Sequence, residues 1–256
     1  MKVALCLSGI SVGKNTIGNT PSTQYGTQWK SAFESIRKNI IEPNACDVFF
    51  HTWANDELPE LVKEYKPVAF STEPVKMFNP EWNFEKFSMH EKSWKAFMTD
   101  RFPPLTYAQP KSFSQAYSIM YADRLRQLHE MMMETKYDFV IRCRFDLEFY
   151  APIIFTDYSP NNVYFAEWQV HPWGMDDVFF AGSSDNMKAI CSLYDFITTY
   201  LTSSEYDSYT RERRLGANNL GSTLHELLFY HLNKSDLLPN AIRKWNNGTD
   251  FKIKRT

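Results

Sequence analysis

Tyr137-Asp-Phe-Val-Ile-Arg142-Cys-Arg144-Phe-Asp146-Leu-Glu148-Phe-Tyr150 is a short apolar run that ends in charge. Phe139, Val140 and Ile141 are aromatic or β-branched and follow one another without a polar break, as in a strand buried on both faces of a helix-covered sheet. Arg142, Arg144, Asp146 and Glu148 then occupy every second position. A strand that stayed extended through Glu148 would turn all four to one face, two cations followed by two carboxylates. Such groups are costly at the end of a buried strand unless they pair with one another or with a ligand, and the C-terminal ends of strands are where open α/β sheets bind ligands. Asp146 and Glu148, spaced D-x-E, offer oxygens to a divalent cation, Mn²⁺ or Mg²⁺, which takes one or two protein carboxylates together with substrate phosphate oxygens. Arg142 and Arg144 are the matching phosphate donors. Two ordinary Arg-carboxylate pairs on a solvated strand end are the plainer reading of the same four residues.

The sequence on either side alternates strands with helices. Val3 to Leu7 is a first strand, and the Ser-, Thr-, Asn- and Gly-rich stretch from Ser8 to Gly26 is a loop over the sheet edge. Within it, Gly9-Ile-Ser-Val-Gly13-Lys14-Asn15 approaches a phosphate-binding loop but has three residues between its glycines and Asn after the lysine, so the hydroxyl that would hold magnesium is missing. Trp29, Phe33, Ile36, Ile40 and Ile41 recur at helical spacing up to Pro43. Cys46 to Phe50 is the second strand and ends in His51-Thr52-Trp53. Pro59 to Tyr65 suits a short helix and Val68 to Ser71 a third strand, an alternation that predicts a mainly parallel sheet flanked by helices.

Regularity lapses around residues 73–110, an aromatic-rich insertion with one short helix near His90 to Met98. An amphipathic helix capped by Ser112 or Ser114 follows, with Ile119, Leu125, Leu128, Met131 and Met132 in its apolar stripe. Beyond the charged strand come a strand at Val163 to Trp168, a strand at Val178 to Ala181 after Asp176-Asp177, and a helix capped by Ser184 or Asp185 and carrying Ile190, Leu193, Ile197 and Leu201. A polar loop from Ser203 to Gly221 and a helix from Leu224 to Leu232 complete the pattern. His225-Glu226 lacks the second histidine of H-E-x-x-H, since Phe229 stands there, which excludes a zinc protease of that type.

With 256 residues the chain suits a single domain. Its net charge of −2 and dispersed basic residues leave no footprint for nucleic acid. Only five apolar residues open the chain before Ser8, too few for a signal peptide or a membrane span, and the expectation is a cytoplasmic protein without a transmembrane segment. Cys6, Cys46, Cys143 and Cys191 have no zinc or redox spacing and read as buried reduced thiols.

Three pieces together, Val3-Ala-Leu-Cys-Leu-Ser-Gly9, Asp47-Val-Phe-Phe-His51-Thr-Trp53 and Tyr137 to Asp146, resemble a group of glycosyltransferases found in bacterial surface-polysaccharide clusters and large DNA viruses. The resemblance continues through Asp176-Asp177-Val-Phe-Phe-Ala-Gly-Ser to the helix of Glu226. It implies a GT-A-like fold and a nucleotide-sugar donor, a UDP- or GDP-sugar, lying across the ends of the first strands. On that reading Leu7, Ser8, Gly9, Lys14, His51, Arg142 and Arg144 contact the donor, and a metal sits on Asp146 and Glu148 at the place of a D-x-D. Residues 1–150 would bind mainly the nucleotide sugar and 151–256 the glycan or glycoconjugate acceptor. An inverting transfer needs a carboxylate to take the acceptor proton, for which Asp177 and Glu226 are the two candidates. The competing readings are a nucleotide-dependent kinase or sulfotransferase built on the Gly9 to Lys14 loop, and a non-catalytic carbohydrate-binding protein presenting the aromatic stretch.

Overall fold

A computed structural model describes residues 1–11, 13–14, 25–26, 28–74, 76, 78, 108–167, 174–213 and 223–254. Seven strands form the main sheet: β1 (Val3–Gly9), β4 (Asp47–Trp53), β5 (Ala69–Glu73), β6 (Phe139–Cys143), β8 (Val163–Glu167), β9 (Phe179–Gly182) and β10 (Ala241–Asn246), in the order β10-β8-β9-β6-β1-β4-β5. Two short ribbons stand apart from it. One pairs β2 (Gly13–Lys14) with β3 (Tyr25–Gly26), and the other pairs β7 (Leu147–Phe149) with β11 (Phe251–Ile253).

The pairs β1–β4, β1–β6, β4–β5 and β8–β10 are parallel, and β9 runs against both its neighbours. The architecture is mixed α/β with a mostly parallel central sheet, compatible with a Rossmann-like fold. The chain builds β1, β4 and β5 outward in one direction, then returns to the other side of β1 to lay down β6. The sheet order therefore reverses between β1 and β6, and such a switch point opens a crevice at the carboxyl ends of the strands.

The strand sequences explain the layering. Val3, Leu5 and Leu7 face one buried cluster while Ala4 and Cys6 face another, so an unbroken apolar run serves two cores. Helices α1 (Gln28–Ile36) and α3 (Leu58–Tyr65), with the short α2 (Glu42–Asn44) between them in sequence, lie on the first face, which α1 and α3 cover through Trp29, Phe33, Ile36, Leu61 and Tyr65. The second is covered by α4 (Ala108–Met132), α5 (Ser184–Cys191), α6 (Leu193–Leu201) and α8 (Leu224–Lys234). None of the described helices is long and apolar enough to cross a membrane.

Several elements depart from the sequence expectation. The long helix is underway from Ala108, so Ser112 and Ser114 lie inside it and not at its start. The cap of α5 is Ser183, whose side chain accepts from the Asn186 N–H, and Ser192 divides the single expected helix into α5 and α6. The expected loop after Ser203 is helical as α7 (Ser204–Arg213), while β10 and β11 have no counterpart in the sequence reading. The expected insertion, apart from its ends, and the part of the expected polar loop from 214 onward lie outside the described residues.

Candidate functional site

Arg142 occupies the switch point. It stands opposite Cys6 of β1, one residue before β6 ends, and 1% of its surface is exposed. Its Nε donates to the Ser8 Oγ at 3.1 Å, but neither Nη finds a hydrogen-bond partner among the described residues. Burial pulls the guanidinium down to about 10, opposed by the Asp177 carboxylate and reinforced by Arg144. A buried guanidinium with two idle donor groups is costly to the folded state, and its five donors in a fixed fork suit an anion such as phosphate.

The charged face expected from alternation does not form. β6 stops at Cys143 and the backbone turns at Phe145 and Asp146. Phe145 is buried edge-on to Phe50 and Tyr65, which draws the chain out of the sheet toward the first core. Arg144 and Asp146 close on each other as a fork, Nε to Oδ1 at 2.8 Å and Nη2 to Oδ2 at 2.5 Å. Burial opposes the Arg144 charge, but Asp146 outweighs it and the guanidinium is raised above its ordinary value. Glu148 lies on β7, where its Oε2 is 3.0 Å from Lys252 and 2.9 Å from Lys254, charge against charge without an aligned hydrogen bond. The expected metal pair is thus engaged within the protein: both oxygens of Asp146 accept from Arg144, and Glu148 faces lysines of the small ribbon.

A different set of ligand atoms converges beside Arg142. The loop entering β9 carries Asp176 and Asp177, and the first turn of α8 carries His225; one ligand atom from each lies within 4.8 Å of the others. The Asp177 Oδ1 is 4.0 Å from the His225 Nε2. Two reciprocal bonds fasten loop to helix, since the Met175 N–H donates to the His225 carbonyl at 3.1 Å and the His225 Nδ1 stands 3.0 Å from the Met175 carbonyl. A carbonyl only accepts, so Nδ1 carries a proton, and the ring is held with Nε2 on the side of Asp177. Gly174 makes the approach possible, because a Cβ there would fall 2.8 Å from that of His225. The Arg243 Nη2 holds the Gly174 carbonyl at 2.6 Å.

Asp176 spends one oxygen on the Val178 N–H at 3.0 Å, and its Oδ2 is buried without a hydrogen-bond partner among the described residues. Burial first, and the Asp177 charge second, push its carboxyl up to about 6. The Arg144 backbone ties the two halves of the site together by donating to the Val178 carbonyl at 3.2 Å.

The remaining expected residues fall around this centre. Leu7 is buried with its side chain in the first core. Gly9 ends β1 at φ +116°, a conformation that suits glycine, and its N–H donates to the Ser118 Oγ at 2.8 Å. His51 is fully buried in an interior network, with Nδ1 2.8 Å from the Ser118 Oγ and Nε2 3.1 Å from the Glu73 Oε1, and burial lowers its basicity. Gly13 and Lys14 belong to a two-residue ribbon, whereas a phosphate-binding loop sets its lysine at the start of a helix. The Lys14 side chain lies outside what the structure describes. Glu226 forms a capping box with Thr223 at the start of α8, its Oε2 accepting from the Thr223 N–H at 3.3 Å.

His225 is the residue the sequence reading weighs only as part of H-E-x-x-H. It lies fifty residues from Met175, its partner in space, and no periodicity links the two. The adjacent aspartates are visible in the sequence, but their meeting with this histidine is not. No protein-family model matches the chain, and no curated protein matches it. What the site can do is read from its own atoms.

Proposed function

We propose that this chain is a metal-assisted glycosyltransferase that moves a sugar from a UDP- or GDP-sugar to a glycan or glycoconjugate acceptor. The observation that carries the reading is Arg142, a buried guanidinium whose two Nη groups have no hydrogen-bond partner among the described residues, at the switch point of a mostly parallel sheet. Glycosyl transfer calls for such a group. The bond from the anomeric carbon to the donor phosphate breaks, its electron pair leaves with the nucleoside diphosphate, and the acceptor oxygen bonds to the same carbon. Arg142, steadied by Ser8, meets the developing phosphate charge with donors already in place and shielded from water. A divalent cation, when bound, adds further stabilisation to the leaving diphosphate. The acceptor proton passes to a carboxylate, for which Asp177 and Glu226 are the candidates.

The kinase reading has no comparable support, since Gly13 and Lys14 lie in a β-ribbon. Thermal denaturation with UDP-sugars, GDP-sugars, ATP and free glycans, each with and without Mn²⁺, tests the proposal. A ligand that binds only the native state raises its midpoint. A rise with one nucleotide sugar, followed by release of its nucleoside diphosphate in the presence of acceptor, is the expected result. A rise with ATP alone would favour the kinase, and one with glycans alone a binding protein.

A further inference from the structure

We infer that Asp176, Asp177 and His225 form a divalent-cation site of the Mn²⁺ class, and that Asp146 and Glu148 do not hold the cation. The inference deepens the glycosyltransferase reading, but its geometry stands without it. Donor atoms on a cation bound at about 2.1 Å lie about 3.0 to 4.2 Å apart, from the right angles and straight line of octahedral coordination. The 4.0 Å between the Asp177 Oδ1 and the His225 Nε2 is within that range, and the ligand atoms of all three residues lie within 4.8 Å of one another. Little closure is needed.

Two independent observations point to an absent ligand. Among the described residues the Asp176 Oδ2 is buried without a hydrogen-bond partner, in a side chain otherwise anchored by the Val178 N–H. The Arg142 guanidinium, buried beside Asp177, has two nitrogens without a hydrogen-bond partner among the same residues. The carboxylates want a cation and the guanidinium wants an anion. A cation carrying diphosphate oxygens satisfies both, with the metal on the aspartates and histidine and the phosphate bridging to Arg142. The His225 Nδ1 is held by a backbone carbonyl, an arrangement that fixes the ring of a metal-bound histidine with its other nitrogen outward. An imidazole among oxygen ligands favours Mn²⁺ over Mg²⁺, which prefers all-oxygen surroundings. With Asp177 on the cation, Glu226, next to His225 on α8, is left as the carboxylate for the acceptor proton.

The test uses the full chain and MnCl₂ alone, without nucleotide sugar. Quenching of the free Mn²⁺ paramagnetic resonance signal on titration is expected to show one bound ion per chain. Asp177→Asn and His225→Ala are each expected to weaken it by about tenfold or more, the scale on which even supporting residues act. Glu148→Gln is expected to leave it within about twofold, since water replaces a lost oxygen ligand least noticeably where none was used. Electron spin-echo modulation of the Mn²⁺ complex of the unaltered protein needs no variant and is expected to show a directly bonded imidazole nitrogen. Absence of that nitrogen, or Mn²⁺ affinity lost in Glu148→Gln but kept in Asp177→Asn, overturns the inference, as does failure to bind Mn²⁺ at all. Binding through the cluster with no turnover of any nucleotide sugar would retain the cation site and reject the transferase.

Discussion

Two groups of charges meet at one edge of the sheet, and they differ in whether they are complete. Arg144 with Asp146, and Glu148 with Lys252 and Lys254, each contain their own countercharge. In the group of Arg142, Asp176 and Asp177 the opposite charges are not joined by an ion pair: two guanidinium nitrogens and a carboxylate oxygen are buried without a hydrogen-bond partner among the described residues. The closed groups can be explained by folding alone. The open one costs the folded protein stability, and a ligand that supplied what is missing would offset that cost. Charge density in the sequence marks both groups equally; completeness in space separates them.

Substitutions can break that contrast or sharpen it. The largest effect is expected for Glu226→Gln, which removes a base but keeps the capping box, because Gln serves at that position as Glu does. Turnover should fall by ~10²- to 10⁴-fold while Mn²⁺ affinity and the thermal midpoint hold steady. Steady-state kinetics beside a Mn²⁺ titration checks this, and an unchanged kcat would remove Glu226 from the chemistry.

Asp146→Ala should act on folding first. It leaves the Arg144 guanidinium without the carboxylate that both its bonds reach, and a cost of about 2 to 3 kcal/mol is expected for stranding that charge. For a chain of this size the midpoint should drop by roughly 4 to 12 °C. Glu148→Gln breaks only half-exposed lysine contacts and should cost less than about 1 kcal/mol. Denaturant titration of the two variants ranks them, and equal losses would mean that the pairing at Asp146 is not what stabilises this corner.

The strands that flank the crevice were legible because each is an unbroken apolar run: Val3 to Leu7, Val48 to Phe50 and Phe139 to Ile141 can be buried on both faces only in a covered sheet. The edge strand β10, Ala-Ile-Arg-Lys-Trp-Asn, has one buried residue, Trp245, and so carries no alternation to read. The helix α7, Ser-Glu-Tyr-Asp-Ser-Tyr-Thr-Arg-Glu-Arg, is polar and shows no apolar stripe to read. The candidate site was legible in part. Arg142 and Asp177 are visible as charges next to apolar runs, but the pairing of Asp146 with Arg144 depends on a turn set by where Phe145 packs. The role of His225 depends on a contact between distant segments, made through Met175 and admitted by Gly174.

The most direct test of the account is Arg142→Met, measured for both stability and ligand binding. Replacing a buried, half-satisfied cation with an apolar side chain of similar length should raise stability by about 1 kcal/mol, or roughly 2 to 4 °C in the midpoint. Calorimetric affinity for UDP or GDP with Mn²⁺ should fall by about tenfold to a hundredfold, as expected for losing charge-assisted bonds to phosphate. A protein that becomes more stable as it loses the nucleotide would mark Arg142 as held in place for its ligand. A variant that is destabilised and binds the diphosphate as before would contradict the account, because Arg142 would then belong with the charges that serve the fold.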